Sequence, residues 1–311
     1  MEIQLNDFIP YKTVSEVTSE AVDYIRKRKN HIIQPLKTRW NKFNRACCGG
    51  IEPNMIFTIA GVSGSGKSAV ANALANDLIT LNPNKNVVVL LFSFEMIGYR
   101  NIGRTISSKM KKTTTELYSA EEDLSDTDFT KVKEVAEEVK NYPIYIVDIP
   151  STVERIGNTI TYFKNTIAKD KWLIVILDHT LLVNGDSERS TIVDLQKMFI
   201  AKKKLPLTSI IQVSQMNRNI ESSDRINNPS GHYPMRSDLS SSDAIFQASD
   251  YVIAIHRPEL YGIKAYGIKR LPVTNKVYMH FLKIRDGEPK ILEFDNELKY
   301  GNLIENIVTD K

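Results

Sequence analysis

The run Gly61-Val62-Ser63-Gly64-Ser65-Gly66-Lys67-Ser68 satisfies Gly-x-x-x-x-Gly-Lys-Ser/Thr without exception. Its residue types prescribe a chemistry. Gly61, Gly64 and Gly66 let the backbone curl, so that the N–H groups from Ser63 through Ser65 and the N-terminus of a following helix face phosphate oxygens. Lys67 is placed to reach the β- and γ-phosphates, and the Ser68 hydroxyl to ligate a magnesium ion. The chain is expected to bind a nucleoside triphosphate, with ATP and Mg²⁺ as cofactors.

Three further polar residues stand at the ends of apolar runs. Glu95 follows Val87-Val88-Val89-Leu90-Leu91-Phe92, Asp178 closes Trp172 to Leu177, and Gln215 closes Ser209 to Ser214. Continuous apolar runs of this length suit strands of a parallel sheet buried on both faces. In an open α/β sheet the chemistry gathers beyond the C-terminal strand ends. Asp178 is then a candidate Mg²⁺ ligand, and Glu95 a candidate base for the attacking water, since hydrolysis needs a proton acceptor beside the γ-phosphate.

The elements that must position these groups alternate along the chain. Residues 55–60 form a strand into the phosphate loop and 69–75 a helix out of it. Helical segments are expected over 99–141, 152–169, 190–204 and 237–249. Strands follow at 144–147 and 251–255, with two antiparallel strands over 277–285 and 290–295. The alternation implies an α/β fold with a mostly parallel, doubly wound sheet and right-handed crossovers, closed by a C-terminal antiparallel hairpin. The polar stretch from Met216 to Arg236 is far longer than an ordinary connection, and loops of that length are functional or mobile.

With 311 residues, 42% hydrophobic and 25% charged, the chain can bury one substantial core. Its net charge of +4 permits an acidic partner such as nucleic acid without requiring one. Two adjacent cysteines, Cys47 and Cys48, supply neither a disulfide framework nor a spaced metal site. No apolar run reaches membrane-spanning length and the N-terminus lacks a signal-peptide pattern, so a soluble cytoplasmic protein is expected. Thr13-Val14-Ser15-Glu16 reads as a capping box opening a helix to about Lys29. Its narrow stripe of Val14, Val17, Ala21 and Ile25 suits docking on a neighbouring subunit or packing on the chain's own core. Basic residues cluster at Arg26, Lys27, Arg28, Lys29, Lys37, Arg39, Lys42 and Arg45, as a solvated face or a nucleic-acid contact.

The order and spacing of these motifs resemble the RecA-type motor domain of the DnaB family of hexameric replicative helicases, phage relatives included, over roughly residues 14–300. The matching segments are Gly61 to Ser68, Phe92-Ser93-Phe94-Glu95-Met96, the strand ending at Asp178, Val213 to Arg218, Met235-Arg236-Ser237-Asp238-Leu239, and Lys283-Ile284-Arg285-Asp286-Gly287. The resemblance implies Glu95 as catalytic base, Asp178 as Mg²⁺ ligand and Gln215 as γ-phosphate sensor. It further implies Arg285 as an arginine finger, with Lys283 as its companion, both reaching a neighbouring subunit's nucleotide. The implied activity is ATP-driven movement on single-stranded DNA with duplex unwinding, 5′ to 3′, by a homo-oligomeric and hexameric ring that can engage a primase or loader.

Three departures accompany the resemblance. After Ser-Asp-Leu the family carries Arg-Glu-Ser-Gly, whereas this chain has Ser240-Ser241-Ser242-Asp243, which removes a guanidinium from the central DNA-binding loop. Ser240 and Ser241, with Arg218, Arg225 and Arg236, are the remaining candidates for phosphate contacts. His179-Thr180-Leu181 replaces Tyr-Leu-Gln, and His179 is expected to pack rather than to react. The helical N-terminal domain of family members is absent, leaving residues 1–45 as an extension, 46–300 as the motor domain and 301–311 as a tail. Two other readings stay open: a recombinase or mediator ATPase without unwinding activity, and a regulatory ATPase assembly that does not act on DNA.

Overall fold

The structure is a computed structural model that describes residues 11–239 and 242–305. It divides into two compact units, residues 1–35 and 36–311. In the first, α1 (Val14–Lys29) starts at the expected capping box: the Glu16 N–H donates to the Thr13 hydroxyl, and the Thr13 N–H donates to the Glu16 carboxylate at 2.6 Å. None of its residues is buried. Arg26 and Lys27 of the basic cluster both pair with Asp23.

In chain order the second unit comprises α2 (Asn41–Ala46), β1 (Ile56–Gly61), α3 (Lys67–Thr80), β2 (Val87–Ser93), α4 (Gly98–Met110), α5 (Thr114–Leu117) and α6 (Asp126–Lys140). Then come β3 (Ile144–Val147), α7 (Val153–Asn165), β4 (Trp172–Asp178), α8 (Glu188–Lys202), β5 (Thr208–Gln215) and α9 (Ser223–Asn227). It closes with α10 (Ser242–Ala248), β6 (Tyr251–His256), β7 (Lys276–Ile284), β8 (Lys290–Glu297) and β9 (Asn302–Glu305). The strands form one sheet in the order β3-β2-β4-β5-β1-β6-β7-β8-β9. From β3 to β6 every pairing is parallel, and from β6 to β9 every pairing is antiparallel. Residues of β1, β2, β4 and β6 are buried throughout, as strands covered on both faces must be.

The structure departs from the sequence expectations at three places. The helical stretch expected over 99–141 is three helices, because Lys111 takes a left-handed conformation after α4 and a turn-rich segment separates α5 from α6. The closing hairpin gains a third strand, since β9 pairs with β8, so the sheet continues into the expected tail. The compact unit starts at Leu36 and not at residue 46: Leu36, Trp40 and Phe43 are each at most 1% exposed and belong to the main core cluster.

One buried carboxylate fastens that early segment. Asp77 on α3 receives the Arg39 backbone N–H at 2.9 Å, the Arg39 Nε at 2.9 Å and its Nη2 at 2.7 Å. The Trp40 indole N–H donates to the Leu303 carbonyl of β9, so the two chain ends of the unit are bound to each other. Removing one member of a buried, multiply bonded ion pair leaves the other uncompensated. Asp77→Asn is therefore expected to lower stability by about 2–3 kcal/mol, read as a lower urea midpoint. An unchanged midpoint would remove this anchor.

Candidate nucleotide site and its attached loop

The phosphate loop leaves β1 at the centre of the sheet, between β5 and β6. Its glycines are required by space and conformation. A Cβ on Gly61 would lie 2.4 Å from the Ser65 hydroxyl and 2.8 Å from the Ile255 carbonyl, and Gly66 takes φ +104 directly before α3. The loop borders a cavity of about 700 Å³ whose wall includes Ser63, Gly64, Gly66, Lys67 and Ser68. Ser65 is fully buried beneath it.

The candidates from other strands converge on the same cavity. Glu95 and Gln215 line it, each just beyond or at the C-terminal end of its strand. Gln215 is level with Gly61 in the parallel pairing, and the next residue, Met216, donates its N–H to the Gly61 carbonyl at 3.1 Å. Asp178 lies underneath, 6% exposed and beside the Ser68 hydroxyl, and its backbone carbonyl accepts the Phe94 N–H at 2.9 Å. That bond ties the Glu95 segment to the Asp178 strand end.

The electrostatics follow from burial. Burial pushes the Lys67 ammonium below its usual range, while the carboxylates of Asp178 and Glu95 oppose the shift. Its Nζ donates to the Val62 carbonyl at 2.7 Å. Burial likewise raises the Asp178 carboxyl, against the Ser68 hydroxyl, which lowers it. Asp178 Oδ1 is buried without a hydrogen-bond partner. An orphaned carboxylate oxygen next to a hydroxyl fits Mg²⁺, which takes one or two protein oxygens and completes its shell with phosphate and water. Consistent with so sparse a site, no group of three His, Cys, Asp or Glu side chains able to hold a metal occurs among the described residues.

Several lining residues escaped the sequence reading. His179, expected only to pack, borders the cavity; burial lowers its pKa, so the ring is neutral at pH 7. Arg104 of α4 and Arg257, the residue after β6, also line it, and Arg257 Nη1 donates to the Gly64 carbonyl at 3.0 Å. Arg257 stands beyond a strand end, as Glu95 and Gln215 do. That placement was the available signal.

Lys283 and Arg285 lie elsewhere. Ile284 pairs with Tyr251 at the start of β6, and Phe57 near the start of β1 pairs with that same Tyr251. From Phe57 to Gly61 is four residues of strand, about 13 Å, so both basic residues stand at the sheet end remote from their own phosphate loop. Lys283 Nζ donates to the Phe246 carbonyl at 2.6 Å and lies over the Phe246 ring. Burial, then the nearby Arg285 charge, lowers its pKa.

The long polar stretch is locally folded. An isolated bridge joins Met216 to Leu239, and the Asn217 N–H donates to the Asp238 carbonyl at 2.7 Å, closing the base of the loop. Arg225, expected as a DNA contact, turns inward instead. Its guanidinium pairs with Asp238 and donates to the carbonyls of Gly231 and Tyr233, because the loop's turns leave those acceptors without strand partners. Arg218 is exposed. Arg236 pairs with Asp243 at 2.6 Å and lies over the Phe246 ring. Ser240 and Ser241 fall outside the described residues.

A parallel sheet whose central strand feeds a phosphate loop, with a carboxylate and an amide at the adjoining strand ends, defines a RecA-type nucleotide-binding core. Solved structures of 22% identity share the fold. One is an isolated ATPase domain of a DnaB-like helicase (TM-score 0.79, covering 96% of this chain and 100% of that one). A second is the DnaB-like replicative helicase solved for its interactions with primase (TM-score 0.76, covering 95% and 67%). The chain belongs to the DnaB-like helicase C-terminal domain family, whose sequence model matches residues 35–302. Among relatives, the replicative DNA helicase DnaB of Mycoplasma genitalium is 28% identical over 252 residues, covering 78% of this chain and 51% of that protein. The DnaB of Buchnera aphidicola subsp. Schizaphis graminum is 26% identical over 262 residues, covering 80% and 53%. The chain spans about half the length of these relatives. No helix among the described residues is long and apolar enough to cross a membrane.

Proposed function

We propose that this chain is an ATP-driven motor that assembles as a ring, most simply a hexamer, moves 5′ to 3′ along single-stranded DNA and separates the duplex ahead of it. The observation that carries the reading is continuity: Gln215 lines the nucleotide cavity and heads the folded loop whose base is fastened to Gly61. ATP is the nucleotide assigned to the cavity, and Asp178 and Ser68 are the residues that would hold Mg²⁺. When bound, that ion supplies neutralisation of phosphate charge.

The protein's own groups do the rest. Lys67 and the loop N–H groups orient the phosphates and hold negative charge. Glu95 accepts a proton from the water that attacks the γ-phosphorus in line, as the bond to the departing ADP oxygen breaks. Arg285, supplied by a neighbouring copy with Lys283 beside it, stabilises the charge spreading over the transferred group. Loss of the γ-phosphate releases Gln215, and the loop from Asn217 to Arg236 shifts with it.

Arg218 and Arg236 are the loop cations we assign to DNA phosphates, with Ser240 and Ser241 as further candidates, while Arg225 braces the loop from inside. The apolar stripe of α1 is assigned to docking on a neighbouring subunit, and a primase or loader is the partner class to seek. Such a motor acts in the cytoplasm.

One experiment separates this from its rivals: the ATPase rate with and without single-stranded DNA, alongside unwinding of a forked duplex, for wild type and Glu95→Gln. DNA-stimulated hydrolysis with unwinding, both lost in the variant, is expected. Stimulation without unwinding would indicate a recombinase or mediator, and no response to DNA a regulatory assembly.

A further inference from the structure

Asp250 occupies the junction between α10 and β6 and is 1% exposed. Its Oδ2 accepts the Ile56 backbone N–H at 2.7 Å and the Lys203 ammonium at 2.7 Å. Its Oδ1 accepts Arg285 Nε at 2.5 Å, and its backbone carbonyl accepts the Arg285 N–H at 3.0 Å. Arg285 is thus gripped twice by one residue while its side chain stays 48% exposed. Close by, the pairing of β6 with β7 slips between Val252 and Ile253, a bulge of the kind that re-aims the side chains beyond it.

The grip is selective. A guanidinium carries its donors in a rigid fork, and occupying Nε leaves both Nη groups, the pair that meets phosphate bidentately. Lys203 and the Ile56 N–H already neutralise and hydrogen-bond the Asp250 carboxylate. Its bond to Arg285 therefore constrains the arginine more than it satisfies the aspartate.

We propose that Asp250 is the positioning residue of the Arg285 finger: it holds the guanidinium by Nε so that the Nη fork projects from the sheet end toward the neighbouring subunit's γ-phosphate. This rests on the reading of Arg285 as a finger. Asp250 itself touches no substrate.

The test compares steady-state ATP hydrolysis and fluorescent-nucleotide binding for Asp250→Asn, Arg285→Ala and the double variant Asp250→Asn/Arg285→Ala, each checked for assembly by size. Asp250→Asn is expected to lower kcat about 10- to 100-fold with KM and nucleotide affinity unchanged, and the double variant to be no slower than Arg285→Ala. Should loss of the buried charge prevent folding, Asp250→Asn/Lys203→Gln removes the carboxylate together with its other cation, and the same loss is expected while Lys203→Gln alone turns over normally. Full turnover in the Asp250 variants, with Arg285→Ala inactive, would overturn the positioning role and leave the finger standing. A double variant slower than Arg285→Ala would overturn it in favour of a purely structural clamp on β1. Normal turnover in Arg285→Ala would remove the finger and the proposal together.

Discussion

Arg285→Ala is expected to retain ATP binding and assembly while turnover falls by ~10³-fold or more, the range an arginine finger commands. Binding survives because the residues that hold the phosphates, Lys67, Ser68 and the loop backbone, all lie at the opposite end of the sheet from Arg285. The geometry adds a stricter expectation. A guanidinium at that end serves only another copy's pocket, so mixing Arg285→Ala with Lys67→Ala chains should restore hydrolysis at mixed interfaces. At half of those contacts an intact pocket meets an intact finger. Titration of one variant into the other, followed by released phosphate, reads this directly. No recovery at any ratio, or turnover unchanged in Arg285→Ala alone, would remove the assignment in trans.

The second large effect belongs to Glu95. Glu95→Gln preserves shape and hydrogen-bonding capacity but removes the proton acceptor, and kcat should fall by about 10²- to 10⁴-fold while nucleotide affinity holds. The side chain is exposed to the cavity at the end of a segment pinned by the Phe94–Asp178 bond, so the substitution leaves the frame of the site intact. Single-turnover measurement separates a lost chemical step from slow product release. Wild-type turnover in Glu95→Gln would transfer the base role to His179, whose neutral ring borders the same cavity.

The core of the sheet and most of the nucleotide cavity were legible in the chain because their signals are local. Strands buried on both faces must be apolar along their length, and a phosphate loop must be glycine-rich; neither depends on distant partners. What stayed hidden depends on contacts far apart in sequence. Trp40 and Phe43 show no periodicity that marks them as core, and only the docking of Trp40 under Leu303 makes them so. β9, four residues of mixed polarity, becomes a strand because β8 offers it an edge. Arg225 reads as a solvent-facing cation, yet its partners are carbonyls that exist as acceptors only once the loop has turned. Arg257 reaches the phosphate loop because β6 lies beside β1, a neighbour relation that only the strand order supplies.

The closed base of the long loop bears on how the molecule turns chemistry into movement. With Met216 bridged to Leu239, Asn217 bonded to Asp238, and Met216 bonded in turn to Gly61, both legs of the loop leave the sheet from a common footing beside the phosphates. A tether fixed at one end would dissipate a small displacement as bending within its own length. A two-legged strut braced inside by Arg225 carries it to the tip. The stiffness of the footing, more than the size of any shift at the γ-phosphate, then sets the step that the loop can deliver, and weakening the Arg225 brace should shorten that step without slowing hydrolysis.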